Sequence, residues 1–222
     1  MIKLWCQELS CYSDEVWISY AKSREPLTRL VSLEEYTSHF HAARKCGMDL
    51  AQKMRREWGG LSCQEMAEKL GVRVERLPMP DGDGLLTFAC YHEPDLIQVF
   101  TDNAEATQAL ISESGGAEFL GDVDICEMLL AHELCHVLLV RDPELYVHRK
   151  LVRNFKLGPF ERWSRLLSLE EVASMAFARE LLGLQHEPYL YDVLMLLPQA
   201  TLQARELYER LLILNEEESS RG

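Results

Sequence analysis

The stretch His132-Glu133-Leu134-Cys135-His136 constrains this chain more than any other. It lies in a run of helical character from Asp122 to Val140, where apolar residues recur at Ile125, Met128, Leu129, Leu139 and Val140 as on the inward stripe of a helix. Gly121-Asp122 offers a break and an N-cap, and Arg141-Asp142-Pro143 a stop, because the residue before proline avoids the helical region. Residues four apart on a helix share a face, so the two imidazoles can bind one metal ion. Glu133 sits beside that face, within reach of a water held there. Two histidines and a carboxylate on an apolar stripe are costly without a ligand. The pattern predicts a zinc site with His132 and His136 as ligands and Glu133 as general base.

A catalytic zinc takes three protein ligands and leaves one position open. The third is expected on a helix from Leu169 to Leu184, opened by Ser168 with Glu171 three residues on, the spacing of a capping box. In that role Glu171 would serve the backbone instead of a metal. Glu170 shares the first turn, where the helix dipole favours carboxylates, so Glu170 and Glu171 both stand as candidates. His148, twelve residues past His136, is a weaker one, and Glu144 and Glu161 have no supporting context. A purely structural zinc would favour four closed, cysteine-rich ligands, and the seven cysteines are scattered without such spacing.

At 222 residues the chain can bury one core and carry appended helices. Its net charge of −13 speaks against a nucleic-acid surface, which needs clustered lysine and arginine. The local basic groups at Arg44-Lys45, Lys53 to Arg56 and Arg149 to Arg153 read as solvated helix faces. The N-terminus lacks the apolar stretch of a signal peptide, and no apolar run reaches membrane length. Unpaired cysteines then fit a cytoplasmic protein with reduced thiols. Cys135, inside the motif, reads as a small buried filler.

Residues 1 to about 30 are expected to form a short strand or irregular cover, from Trp5, Val16, Trp17, Ile18 and Tyr20. A long helix is expected from Ser32 or Leu33 to Trp58, then a second from Ser62 to Leu70 with Glu65 completing its capping box. Val72 to Leu77 alternates as a strand, and Pro78 to Gly84 reads as a loop. Two strands, Leu85–Tyr91 and Leu96–Thr101, follow, joined by the turn His92-Glu93-Pro94-Asp95. Ala104–Ser112 is a possible helix. A last helix runs from Pro198 to Leu214, and the acidic run Asn215 to Glu218 is expected to fray. Leu61 to Val72 resembles the second helix of a helix-turn-helix, but a strand pattern and Pro78 follow where a recognition helix would stand, so no direct nucleic-acid contact is expected.

Taken in order, Ala67-Glu68-Lys69-Leu70-Gly71-Val72-Arg73-Val74, the two strands, the His-Glu-x-x-His helix and Phe177-Ala178-Arg179-Glu180-Leu181-Leu182 resemble the ImmA/IrrE family of zinc metallopeptidases. The similarity spans roughly residues 40 to 185. It implies an α+β fold, a mostly helical zincin-like metallopeptidase core with a small antiparallel sheet and an added C-terminal helix. The implied division is an N-terminal extension at 1–30, the metallopeptidase domain at 31–185 and a C-terminal helical extension with an acidic tail at 186–222. The implied activity is that of a gluzincin-like endopeptidase acting on a protein substrate, a helix-turn-helix repressor of a phage, mobile-element or stress system. In the family the metal-binding glutamate usually lies four residues before the Phe-Ala pair, where this chain has Ala173. Glu170 lies one turn before it, and Glu171 matches a second, upstream glutamate of the family. The family's motif glycine is here Cys135. A relative with a decayed site, acting by binding alone, is therefore the competing expectation. Leu96–Thr101 reads first as a core strand and second as a place where substrate adds as a strand. Tyr146, His148 and His186 are candidates to stabilise the oxyanion.

Overall fold

The structure is a computed structural model and describes residues 1–79, 87–157 and 160–220. The fold is α+β and mostly helical, with two small sheets. The first thirty residues form helices α1 (Ile2–Ser10) and α2 (Asp14–Ser23), which corrects the expected strand. Trp5, Cys6 and Leu9, then Val16, Trp17, Tyr20 and Ala21, are buried, and their spacing is helical. Here the period outweighed the strand preference of aromatic and β-branched residues. After a single 3-10 turn at Thr28–Leu30 comes α3 (Leu33–Trp58), whose Ser32 cap accepts from the Glu35 amide at 3.1 Å. Helix α4 (Cys63–Lys69) has its reciprocal capping box, Ser62 with Glu65.

Strands β1 (Arg73–Leu77), β2 (Ala89–His92) and β3 (Leu96–Phe100) form one sheet in the order β1-β3-β2. β2 runs antiparallel to β3, as expected, but β1 pairs parallel to β3, so the sheet is mixed and not antiparallel. β3 is its centre, with Ile97 and Val99 buried, which makes it the core strand and leaves no edge there for substrate. The predicted loop and first strand fall partly on residues 80–86, outside those described.

Helices α5 (Thr101–Ser114) and α6 (Ala117–Leu120) lead to α7 (Ile125–Arg141), the motif helix. Its N-cap is Asp124, accepting from the Glu127 amide at 3.0 Å, not Asp122. Gly121 has φ +74°, a left-handed value that costs glycine little, and the chain needs the next residues to bury Val123 before the helix can start. Helix α8 (Tyr146–Arg149) then hands over to a hairpin, β4 (Leu151–Leu157) and β5 (Phe160–Arg165). That hairpin was not expected, and it takes Leu151 to Arg153 out of the helix face predicted for them.

Helix α9 (Ser168–Leu182) packs between α3 and α7. At its crossing with α3 a Cβ on Gly47 would stand 2.0 Å from the Ala173 carbonyl oxygen, so the two backbones touch and only glycine fits. A 3-10 turn at Pro188–Leu190 runs into α10 (Tyr191–Leu194), and α11 (Thr201–Ser219) closes the chain. α11 starts after Pro198 and stays helical through the acidic run, because the Ser19 hydroxyl on α2 donates to Glu218 at 2.8 Å. One continuous apolar core takes side chains from Trp5 on α1 to Leu211 on α11.

Candidate metal centre

His132 and His136 project from α7 toward Glu171 on α9, and the three bring metal-binding atoms within 4.8 Å of one another. The two Nε2 atoms are 3.1 Å apart, and Glu171 oxygens lie 3.4 Å from His132 Nε2 and 3.5 Å from His136 Nε2. Donors held at zinc-bond length in a tetrahedron stand about 3.3–3.6 Å from one another. The two carboxylate distances fall in that range and the histidine pair stands slightly inside it, and two imidazole nitrogens with one carboxylate are a donor set that suits zinc.

Glu171 is available because its expected capping role has been taken over. Leu167, not Ser168, is the N-cap residue, and Ser168 is the first residue of α9. Its amide and hydroxyl both donate to Glu25 Oε2, at 2.9 and 2.8 Å, and Tyr36 donates to the Ser168 hydroxyl at 2.7 Å. A carboxylate from the N-terminal segment thus satisfies the first turn of α9. The neighbouring Glu170 points elsewhere, as one residue turns the direction by about 100°. It meets Arg165 at 3.4 Å and His148 at 3.5 Å, so Glu170 lies outside the cluster that Glu171 joins. Ala173, at the position where the resemblance places the ligand, is fully buried against Gly47 of α3 and cannot face the cluster.

The other candidates are also engaged away from the site. His148 takes a bond from Arg165 at 2.6 Å on Nδ1, which leaves Nε2–H to donate to the Leu139 carbonyl at 2.9 Å. Glu144 pairs with Arg149, and Glu161 with Arg153 and Lys156. Tyr146 bonds His39 at 2.8 Å, and His186 bonds Tyr191 at 3.2 Å within the interior, and neither lines the cleft that holds the cluster.

The three clustered groups hold charge cooperatively. Burial opposes charging His132, yet its hydrogen bond to Glu171 and that group's charge raise its pKa. Burial and the charge of His132 push His136 down. Burial would raise Glu171, but its bond to His132 and the charges of both histidines hold it low. Glu133, 7% exposed, is raised by burial, with His132 pulling the other way.

The cluster lies in a cleft of about 500 Å³ lined by α7, α9, β2 and residues near the C-terminal segment, with Phe88, Met128, Leu129, Met175 and Met195 giving it apolar walls. β2 is the sheet edge facing it. The Phe100 amide donates to the Phe88 carbonyl at 2.9 Å, so by alternation Ala89 and Tyr91 turn their backbone groups outward. The Tyr91 amide is directed at Glu133. Across the cleft stands Arg24, at the end of α2, held by Asp192, with Tyr20 donating to Asp192 at 2.8 Å and accepting from Arg24 at 2.9 Å. Burial raises Asp192, with Arg24 opposing. Nothing in the local sequence marked Arg24, Asp192 or Glu25 as site residues. Compared with protein-family models, curated proteins and solved structures, the chain matches none of them.

Proposed function

We propose that the protein is a zinc-dependent endopeptidase with a zincin-like core, acting on a protein substrate. The observation that carries this is the convergence of three side chains, with the two histidine Nε2 atoms 3.1 Å apart and the Glu171 carboxylate within 3.4 Å of one through Oε2 and 3.5 Å of the other through Oε1, beside a buried glutamate in an open cleft. His132, His136 and Glu171 would hold the metal. Bound zinc supplies Lewis acidity toward a peptide carbonyl and acidifies a water. Glu133 takes a proton from the attacking water as its oxygen bonds to the carbonyl carbon. It then gives that proton to the leaving nitrogen as the C–N bond breaks. Burial raises the Glu133 pKa above the ordinary carboxylate value, the direction that favours a group that must return the proton it takes. The outward backbone groups of Ala89 and the Tyr91 carbonyl on the β2 edge can align an extended substrate by strand addition, so the substrate strand is placed on β2 and not on Leu96–Thr101.

By resemblance to the ImmA/IrrE family, the substrate class is a helix-turn-helix repressor and the setting regulatory. Among the described residues no helix is long and apolar enough to cross a membrane, and all seven cysteines are free thiols, which supports the cytoplasmic placement we propose. Binding without catalysis was favoured by the missing carboxylate at position 173, and Glu171 supplies one from another position.

Replacing Glu133 separates the two. With a candidate repressor as substrate, Glu133→Gln should keep its zinc and lose cleavage by about 10²- to 10⁴-fold. Cleavage at the parental rate would remove Glu133 from the mechanism, and full cellular function without cleavage would establish the binding module.

A further inference from the structure

We propose that a groove continuing the metal cleft past Val140, walled by the β4–β5 hairpin, holds the part of a polypeptide substrate beyond the reacting bond. It selects a segment that carries a basic residue with a bulky apolar one within a few positions. The proposal rests on the peptidase reading of the cleft and deepens it by naming what the substrate must contain.

The groove and the cleft adjoin. A hollow of about 960 Å³ beside the hairpin shares Glu93 and Val140 with the metal cleft. Val140 follows His132 and His136 at the same four-residue step, so it extends their face of α7. It stands about 6 Å along the helix from His136, the reach of about two extended residues. On the sheet side, the edge strand β2 ends at His92, and Glu93 comes next. A chain laid along β2 over the metal therefore leaves by way of Glu93 and enters the groove.

Its lining is mixed, with large apolar side chains gathered beside charged ones. Val140, Leu151, Trp163 and Leu167 are 43%, 43%, 51% and 56% exposed and line one hollow, although the same chain buries Trp5 and Trp17. A half-exposed tryptophan among large aliphatic groups is the composition that anchors a partner's bulky side chain.

Charge then sets what accompanies that side chain. Glu170 is already matched by Arg165 and His148, whereas Glu93, at the junction, makes no ion pair among the described residues. A basic residue of the substrate would find its partner there. The net charge of −13 adds a long-range attraction for a positively charged segment.

The test uses zinc-loaded Glu133→Gln protein, incubated with a mixture of randomised 12-residue peptides, with the retained peptides identified by mass spectrometry. Retained peptides should be enriched in lysine or arginine with an aromatic or large aliphatic residue a few positions away. Adding Glu93→Lys should erase the basic preference, and adding Trp163→Ala the bulky one. Each should weaken binding of the best retained peptide about 10-fold. Trp163 is half exposed, so its truncation leaves the core intact. Unchanged enrichment in both variants, or no retention at all, would overturn the proposal. So would concentration-dependent dimerisation abolished by Trp163→Ala without peptide selection, which would assign the surface to a second copy of the chain. Exposing the same peptides to the wild-type protein keeps the two ideas apart. Retention without cleavage upholds the groove and sinks the peptidase, while cleavage with unaltered selection does the reverse.

Discussion

On one wall of the cleft, His132 and His136 stand four residues apart on a single helix; on the other, Arg24 and Tyr20 reach Asp192 across 168 and 172 residues of chain. The first wall is local: once α7 forms, the imidazoles are aligned whatever surrounds them. The second exists only when both ends of the chain have packed on the same core. Glu171 sits between these cases. Its approach to the histidines depends on α9 lying against α3 through Gly47 and on Glu25 from the N-terminal segment occupying the first turn of α9. The lesson is that a short motif can align two histidines and a glutamate, while the carboxylate that joins them is a property of the assembled fold.

The contrast can be broken at the helix crossing. Gly47→Ala places a methyl group where the Ala173 carbonyl already is. A shift of α9 should cost about 3 kcal/mol of stability by chemical denaturation, with zinc affinity falling in parallel. A variant of parental stability would mean that the two backbones are not in contact.

A smaller and more selective effect is expected at Glu25, which is 2% exposed and accepts from Ser168 twice and from the Leu27 amide at 3.0 Å. Glu25→Ala should cost about 2 kcal/mol by leaving those donors unmatched. Ser168 and Glu171 are then free to form the capping box their spacing permits, drawing Glu171 from the metal. Zinc affinity should fall about 10-fold. Equal affinity in parent and variant would show that Glu171 is held by the histidines alone.

The smallest effect concerns the C-terminal side. Burial, then the charge of Arg179, pushes His186 down from 6.5 to about 4. Unfolded, it takes up a proton near 6.5; folded, it does not until about 4. Its contribution is therefore complete above pH 6.5 and is lost as the pH falls toward 4, at about 1 kcal/mol per pH unit. His186→Phe should flatten that part of the stability profile, and an unchanged profile would place the acid sensitivity elsewhere.

Much of this was legible along the chain. Ser32 and Ser62 announced two helix starts, the His-Glu-x-x-His spacing announced the site, and the antiparallel pair β2–β3 followed from its turn. What stayed hidden has physical causes. Trp5, Trp17 and Tyr20 favour strands by type, and their helical spacing was the stronger signal. Leu151 to Arg165 alternates, yet much of the hairpin is exposed, so no apolar stripe marked it. Ser168 with Glu171 fits a capping box by spacing alone, and only a contact with Glu25 across 143 residues displaces it. Glu170 and Glu171 could not be separated without knowing that Arg165 waits on the far side of α9.

The most direct measurement is zinc content by elemental analysis of untagged protein purified without added metal, comparing the parent with His132→Ala, Glu171→Gln and Glu170→Gln. About one zinc per chain is expected in the parent and in Glu170→Gln, with little in His132→Ala or Glu171→Gln, because a lost ligand costs at least 100-fold in affinity. A parent that takes up no zinc even when it is supplied, or a loss that follows Glu170 in place of Glu171, would contradict the account.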